Sequence, residues 1–149
     1  MRLLRYRPRS IAEVRSRLHS LGFTEKEVDK AVSTAEAAGL LDDEAFARVW
    51  VQDRLLHHPL SQRAIRQELA DKGIDRQMIN AAMQKLYPTK AEKEIALKLA
   101  GERLARYATL DRAKRMQRTI SFLTRRGFSF SLARSVAEIV ARDHGDNED

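Results

Sequence analysis

Apolar residues recur at helical spacing along nearly the whole chain, and no segment shows the apolar–polar alternation of a half-buried strand. The first apolar stripe starts after Ser10 and stops before Gly22; it consists of Ile11, Val14, Leu18 and Leu21. Ser10 and Glu13 match a capping box, in which the two side chains bind free backbone amides at a helix start. The pattern therefore predicts an all-α protein.

The same signals predict seven further helices, most of them opened by a capping residue. They begin at Thr24, Asp42, Ser61, Asp75, Lys90, Asp111 and Ser129 or Ser131. The predicted inward faces include Phe46, Val49, Trp50 and Leu56 on the third helix, Met78 and Ile79 on the fifth, and Ala113, Met116, Ile120 and Leu123 on the seventh. A short additional helix is expected near Leu3–Tyr6.

A hydrophobe, three variable residues, glycine and another hydrophobe occur three times, with glycines at Gly22, Gly73 and Gly127. Glycine is common just past a helix end because it adopts positive φ at little cost. The interval of roughly fifty residues indicates tandem repeats. We therefore predict an elongated, curved array of three three-helix repeats, residues 1–40, 41–87 and 88–142, followed by a flexible acidic tail, residues 143–149.

The chain carries a formal charge of +7, and this charge is unevenly distributed. Residues 1–23 carry a net +5, residues 24–47 a net −5 and residues 87–142 a net +8. Basic clusters at both ends of the folded part favour an anionic partner, such as nucleic acid or an acidic protein surface. The sequence shows no cysteine, no signal peptide and no apolar run long enough to span a membrane, so we expect a cytoplasmic protein.

The sequence lacks the motifs of the common enzyme and cofactor sites. It has no phosphate-binding glycine loop, no dinucleotide fingerprint and no Gly-x-Ser-x-Gly nucleophile motif. His57 and His58 are adjacent, so on a helix their side chains point about 100° apart and make a poor metal chelate. Helix capping accounts for the acidic run at Asp42–Glu44. We expect no enzymatic activity, no metal and no cofactor.

Basic residues form stripes opposite the predicted apolar faces. One stripe consists of Arg63 and Arg66 on the fourth helix, and another of Lys114, Arg118 and Arg125 on the seventh. Lys72, Arg125 and Arg126 precede repeat glycines, where a positive charge also complements the dipole at the end of a helix. Aromatic residues are scarce, which disfavours single-strand binding by base stacking.

Three stretches resemble the RecX family, whose members regulate the bacterial recombinase RecA. They are Arg9–Phe23, which matches the family's first repeat; Gly39–Arg54, which reads GLLDDEAFARVWVQDR and matches the family signature; and Ile65–Ile74, which reads IRQELADKGI and continues it. The resemblance covers residues 1–142 and rests on the order and spacing of these stretches. The chain departs from the family at His57–Ser61, where members often have a glycine with flanking basic residues.

The resemblance implies a non-enzymatic protein of tandem three-helix repeats that lodges in the helical groove of the RecA–DNA filament. It implies inhibition of the ATPase, co-protease and strand-exchange activities of RecA, and a block to filament growth. The expected partners are RecA and DNA phosphates without sequence preference, and we expect a monomer. The candidate contacts are the basic residues Arg9, Arg15, Arg17, Arg63, Arg66, Lys72, Arg118, Arg125 and Arg126.

Two alternatives remain open at this point. Helix pairs joined at a glycine turn also occur in helix-turn-helix proteins, so the first alternative is a stand-alone DNA-binding regulator. Such a regulator should prefer one duplex sequence over random DNA by several kcal/mol. A protein of the RecX type should show little preference and should depend on RecA. The second alternative is a helical scaffold for another protein, in which the basic stripes serve only solubility.

Overall fold

The computed structural model describes residues 8–145, and within this range the chain forms eight α-helices and no β-strand. They are α1 (Ile11–Ser20), α2 (Glu25–Ala37), α3 (Asp43–His57), α4 (Gln62–Asp71), α5 (Arg76–Leu86), α6 (Thr89–Arg106), α7 (Arg112–Arg125) and α8 (Phe130–Gly145). The all-α prediction is confirmed. The helix expected near Leu3–Tyr6 and residues 146–149 of the acidic tail lie outside the described residues.

Capping side chains open the helices as the sequence predicts. Ser10 Oγ accepts a hydrogen bond from the Glu13 amide at 3.2 Å, and the Glu13 carboxylate accepts one from the Ser10 amide at 3.3 Å. Thr24 and Glu27 form the same reciprocal pair ahead of α2. The side-chain oxygens that cap α3, α4, α5, α7 and α8 belong to Asp42, Ser61, Asp75, Asp111 and Ser129. Local sequence therefore sets where each of these helices begins.

The repeat glycines end α1, α4 and α7 in the left-handed region of backbone conformation. The φ angle is +93° at Gly22, +76° at Gly73 and +92° at Gly127. In each motif the amide of the hydrophobe after glycine donates to the carbonyl of the leucine that opens the motif; the pairs are Phe23–Leu18, Ile74–Leu69 and Phe128–Leu123. This Schellman-type closure explains the fixed spacing of the motif and confirms that the glycines are helix stops.

Contacts divide the chain into two compact units. Among the described residues, the first unit comprises residues 8–53 and 66–86, and the second comprises residues 54–65 and 87–145. The division passes through α3 and α4, so each of these helices contributes residues to both units. The repeat boundaries after residues 40, 87 and 142 follow the sequence repeat, not this division, and they stay a prediction.

Each unit has an apolar core of its own. In the first unit, α1 and α2 pack together around a cluster made of Val14, Val28, Val32, Ala35 and Leu41. In the second, α8 packs on α6 and α7 around a cluster that includes Leu99, Leu104, Phe122, Leu123, Phe128, Val136 and Val140. Burial of a side chain of this size stabilises a fold by roughly 1.5–3 kcal/mol. Helix packing thus holds the basic side chains on the opposite faces in place.

Five residues that the periodicity places inward are exposed instead. Leu21, Val49, Leu56 and Met78 are 55%, 52%, 75% and 37% exposed, and Ala113 is exposed as well. On α3 the buried residues are Phe46, Ala47 and Val51. Because successive residues are about 100° apart, Val49 and Leu56 point away from that sector. Leu21 is the C-cap of α1, and Met78 and Ala113 lie in first turns that precede the packed part of their helices.

Trp50, predicted to be a core residue, is only half-buried. Its ring stacks on that of Phe46, with 5.6 Å between the ring centres. The ammonium group of Lys72 lies 5.5 Å from the centre of the Trp50 ring, at a distance typical of a cation–π contact. The tryptophan therefore joins α3 to the end of α4 within the first unit.

Candidate nucleic-acid interface

The nine candidate basic residues are distributed over both units. The first unit holds Arg9, Arg15, Arg17, Arg66 and Lys72, and the second holds Arg63, Arg118, Arg125 and Arg126. Their side chains differ in exposure and in the contacts that they make within the chain. Those differences separate residues that are available to a partner from residues that the fold itself uses.

Arg9, Arg17 and Lys72 come together along one side of α1, in an open groove of about 370 Å³ that we call the α1 groove. Ser16 and Ser20 contribute polar side chains to the same groove. Lys72 reaches it from the distant end of α4 because Ser10 Oγ donates to the Lys72 carbonyl at 2.7 Å. A hydrogen bond across the fold therefore assembles a group of cations that lie far apart in the sequence.

The charge in the α1 groove is partly compensated. The Glu13 carboxylate lies 3.9 Å from the Arg9 guanidinium and 3.6 Å from the Lys72 ammonium. Arg17 is exposed, and the structure gives it no ion pair anywhere within residues 8–145. Arg17 is therefore the cation of the α1 groove that an anionic partner can reach without displacing a carboxylate.

Arg15 is engaged by acidic residues of α2. Its guanidinium lies 2.7 Å from Asp29 Oδ1 and 3.5 Å from Glu25 Oε1. His19 adds a contact of 3.1 Å to Glu25. Exposed ion pairs of this kind contribute only about 0–1 kcal/mol, so they orient Arg15 more than they stabilise the fold. An anion that binds Arg15 must nevertheless compete with two carboxylates.

Arg63 and Arg66 lie on the exposed side of α4, opposite the fully buried Ile65 and Leu69. Arg63 is exposed and has no ion pair among residues 8–145. Arg66 donates to the amide oxygen of Asn80 at 2.6 Å, and this neutral partner orients the guanidinium without compensating its charge. Both guanidinium charges on α4 are therefore available to phosphate or carboxylate groups.

On α7 the candidate residues follow two patterns. Arg118 and Arg125 are exposed, and the Arg118 guanidinium lies 5.9 Å from the centre of the Tyr107 ring. Arg126 instead donates to the carbonyl of Pro59 at 3.0 Å and lies over the Phe122 ring. Burial, and secondly the charge of Arg103, lower the pKa of the Arg126 guanidinium. Of the four candidates in the second unit, Arg126 is the one that the fold uses most.

The contacts of Arg126 also give a structural role to the segment before α4. The Arg126 side chain binds the Pro59 carbonyl, and the Arg126 carbonyl accepts from the Ser61 amide at 3.0 Å. This is the stretch, His57–Ser61, in which the sequence departs from the basic loop that the RecX resemblance implies. In this chain the segment instead contacts a basic residue from elsewhere in the sequence, Arg126 at the end of α7.

Two further arginines, Arg112 and Arg115, were not among the residues predicted from the sequence. They line a cleft of about 290 Å³ in the second unit, next to Leu104 and Met116. Together with Arg118 they recur every three residues along α7, a spacing that places side chains on neighbouring turns. This spacing is visible in the sequence and could have identified Arg112 and Arg115 as members of the same basic stripe.

The site offers cationic and hydrogen-bonding groups. Within residues 8–145, no group of three or more His, Asp or Glu side chains is placed to hold a metal ion. None of the described helices is long and apolar enough to cross a membrane. What the described surface can do chemically is bind anionic groups through exposed guanidinium side chains.

The sequence matches the models of three related families. Residues 1–33 match the family described as RecX, first three-helix domain; residues 42–83 match the second three-helix domain and residues 91–136 the third. The chain is 32% identical over 147 residues to the regulatory protein RecX of Streptomyces coelicolor, covering 99% of this chain and 78% of that protein. It is 36% identical over 147 residues to the regulatory protein RecX of Mycobacterium marinum, covering 95% of this chain and 83% of that protein.

Solved structures share the fold. The crystal structure of RecX from Lactobacillus salivarius aligns with a TM-score of 0.75 at 23% identity, over 94% of this chain and 90% of that chain. A second crystal structure, of a regulatory protein RecX, aligns with a TM-score of 0.71 at 28% identity, over 94% of this chain and 66% of that chain. This chain therefore has the same helical fold as these two crystal structures over nearly its whole length.

Proposed function

Because the chain belongs to the RecX family of regulatory proteins, we propose that it regulates the RecA recombinase by binding the filament that RecA forms on DNA. It lies in the helical groove of that filament and inhibits ATP hydrolysis, strand exchange and co-protease activity. It acts by binding and not by catalysis, in the cytoplasm, in recombinational repair and the SOS response. The observation that carries this proposal is the match to regulatory RecX proteins over nearly the whole chain.

Three basic regions support contacts with an anionic assembly. They are the α1 groove with Arg17, the α4 pair Arg63 and Arg66, and the α7 pair Arg118 and Arg125. Guanidinium groups bind phosphate and carboxylate oxygens in the same fork geometry, so these regions suit both DNA and acidic side chains. Contacts to phosphate carry no sequence information and weaken with salt.

The test is a titration of the ATPase activity of RecA on single-stranded DNA with substoichiometric amounts of the protein. We expect hydrolysis to fall with the wild type. For the double variant R63A/R66A, the concentration for half inhibition should rise about tenfold, which corresponds to about 1.4 kcal/mol. The matched control is R134A, which removes an exposed arginine that pairs with Glu138 on α8. It should inhibit like the wild type.

Two results would overturn the proposal. One is RecA hydrolysis that stays unchanged at every concentration of the wild type. The other is tight binding to one duplex sequence without RecA, by several kcal/mol over random DNA, which would identify a stand-alone regulator instead. Measuring duplex binding at several salt concentrations also counts the phosphate contacts, since each contact changes the salt slope by about one.

A further inference from the structure

The cleft beside the start of α7, which we call the α7 cleft, differs in chemistry from the α1 groove. The α1 groove is lined mostly by polar and charged side chains, and two of these, Glu13 and Asp71, are acidic. The α7 cleft belongs to the second unit alone and combines an apolar side with a basic one. Its apolar residues are Leu104, Ala105, Ala108, Met116 and Ala141, and its polar side chains are those of Arg112, Arg115 and His144.

The positive charge of the α7 cleft is not compensated within the described part of the chain. Arg112 is exposed and Arg115 is half-buried, and neither has an ion pair among residues 8–145. The carboxylate of Asp111 is used elsewhere, because it caps α7 by accepting from the Lys114 amide at 2.9 Å. Arg112 and Arg115 lie one turn apart on α7, so both guanidinium groups are available to one anionic ligand.

The residues that line the α7 cleft favour a peptide over a nucleic acid. No aromatic side chain is among them, so a nucleotide base would find no partner for stacking. Ala105 is exposed and Met116 is half-buried, and an apolar side chain that covers them is removed from water. The volume of about 290 Å³ lies at the lower end of the roughly 300–1,000 Å³ typical of ligand sites, so the cleft suits a single side chain and its neighbours.

We propose that the α7 cleft binds an acidic peptide segment of a partner protein, anchored by one apolar side chain. The apolar side chain packs on Ala105 and Met116, and carboxylates next to it in the peptide pair with Arg112 and Arg115. Both halves of the site face the same ligand, because Arg112, Arg115 and Met116 occupy positions i, i+3 and i+4 of one helix. A guanidinium group binds a carboxylate through two parallel hydrogen bonds, which orients the peptide as well as attracting it.

The test is fluorescence anisotropy with the full chain, without RecA or DNA, at about 0.1 M salt. The probe is a short fluorescein-labelled peptide with one leucine between glutamates and aspartates. R112A/R115A should weaken its binding at least about tenfold, because hydrogen bonds to charged groups are lost. The matched control is K93A/K98A, which removes the same charge from exposed positions of α6 outside the cleft. It should bind within about twofold of the wild type, because salt screens distant charges.

Two further measurements test the apolar half of the site. A105W fills the cleft from an exposed position and keeps every charge, so it should weaken binding of the peptide at least about tenfold. A peptide with serine in place of leucine should bind the wild type about tenfold more weakly. A labelled single-stranded oligodeoxynucleotide should bind A105W as it binds the wild type. Thermal unfolding followed by circular dichroism verifies that each variant is folded.

The proposal is overturned if the wild type does not bind the leucine peptide at concentrations up to about 1 mM, or if R112A/R115A binds it as well as K93A/K98A does. Equal affinity for the leucine and serine peptides would also overturn it. So would an A105W variant that loses affinity for the oligodeoxynucleotide as much as for the peptide, because the cleft would then bind nucleic acid.

Acidic residues of the chain itself are the other candidate occupant. Asp146, Glu148 and Asp149 follow Gly145, which lines the cleft. If the peptide binds only to the variant D146N/E148Q/D149N and not to the wild type, these residues occupy the cleft and the proposal is overturned. None of these measurements involves RecA, so failure here leaves the proposed function untouched. Conversely, an unchanged RecA ATPase would not bear on peptide binding by the α7 cleft.

Discussion

The glycine turns at Gly127 and Gly22 share a sequence motif and a backbone conformation but differ in what surrounds them. The φ angles are +92° and +93°, and the closing hydrogen bond to a leucine carbonyl is the same. Yet Gly127 packs against Ser61 and Ala64, whereas the space around Gly22 is open among the described residues. Ending a helix and packing against another helix are therefore separate functions of a repeat glycine. Gly73 and Gly127 have both functions, because each packs on the start of another helix, whereas Gly22 only ends its helix.

The largest expected effect comes from alanine at these glycines. Gly22→Ala should cost about 1–2 kcal/mol of unfolding free energy, since only the left-handed conformation penalises the new Cβ. Gly127→Ala should cost about 3 kcal/mol or more, because the Cβ also collides with Ser61 and Ala64. Urea unfolding of both variants and the wild type measures the difference.

Gly73→Ala and Gly39→Ala serve as the matched second pair. Gly73 packs on Ala12, and Gly39 has positive φ, +73°, with open space around it. Equal losses of unfolding free energy at all four glycines would show that the contacts of Gly127 with Ser61 and Ala64, and of Gly73 with Ala12, are not close-packed. That result would contradict the difference drawn between packed and open glycine turns.

A smaller effect is expected when the serine or threonine of a capping box is replaced by alanine. One capping box contacts the end of α4, and the other lies at the surface. Ser10 is fully buried and both caps α1 and donates to the Lys72 carbonyl, whereas the Thr24 cap of α2 is exposed. Ser10→Ala should therefore cost about 2 kcal/mol or more, and Thr24→Ala about 1 kcal/mol. Urea midpoints at constant slope report both values. Should Thr24→Ala prove the more damaging of the two, the hydrogen bond to Lys72 contributes nothing.

Substitutions of Arg125 and Arg126, at the end of α7, should affect different properties: one mainly binding to RecA filaments and the other mainly stability. Arg126→Ala should cost about 1–2 kcal/mol, because it removes the hydrogen bond to Pro59 and the contact with Phe122. Arg125→Ala should change stability by less than about 0.5 kcal/mol, as is usual for an exposed residue. It should instead raise the concentration needed to inhibit RecA. Thermal unfolding measures the stability of both variants, and the ATPase titration measures their inhibition of RecA. A larger loss of stability in Arg125→Ala than in Arg126→Ala would contradict the roles given to the two side chains.

The smallest expected effect is a pH dependence near Ser61, where the end of α7 contacts the start of α4. Tyr87 is buried and donates to the Leu60 carbonyl, next to Ser61. Burial, and then the charge of Glu92, raise the pKa of Tyr87 above its ordinary value. The folded protein thus binds the phenol proton more tightly than the unfolded chain, so stability is present below pH about 10 and is lost as pH rises further, by at most about 1.4 kcal/mol per unit.

Urea unfolding at successive pH values above about 10 checks this dependence. In Tyr87→Phe the extra loss at high pH should disappear, although the variant starts from lower stability without the hydrogen bond to Leu60. A Tyr87→Phe variant that loses stability with pH as steeply as the wild type would rule out Tyr87 as the cause.

Features that depend on neighbouring residues could be predicted from the sequence. The capping side chains and the glycine stops follow from spacings of three or four residues, and the structure confirms them at Ser10, Thr24, Asp111 and the repeat glycines. Inward faces were less certain, because periodicity finds an apolar stripe without showing which neighbours cover it. Val49 is apolar yet exposed because Ala47 and Val51 fill the buried side of α3.

Features that depend on distant residues could not be predicted. Nothing near Lys72 in the sequence indicates that its carbonyl binds Ser10, and so the assembly of Arg9, Arg17 and Lys72 in the α1 groove emerges only in three dimensions. The inward turn of Arg126 likewise depends on Pro59, far earlier in the chain. A list of basic residues from sequence therefore mixes exposed residues with residues such as Arg126 that the fold itself uses.

We propose that this chain acts on RecA filaments, and the length of those filaments is the property that such an action should change. RecA filaments are grown on single-stranded DNA with and without substoichiometric wild-type protein, and their lengths are measured by electron microscopy. We expect shorter filaments together with reduced ATP hydrolysis. Filaments of unchanged length with unchanged hydrolysis would contradict it.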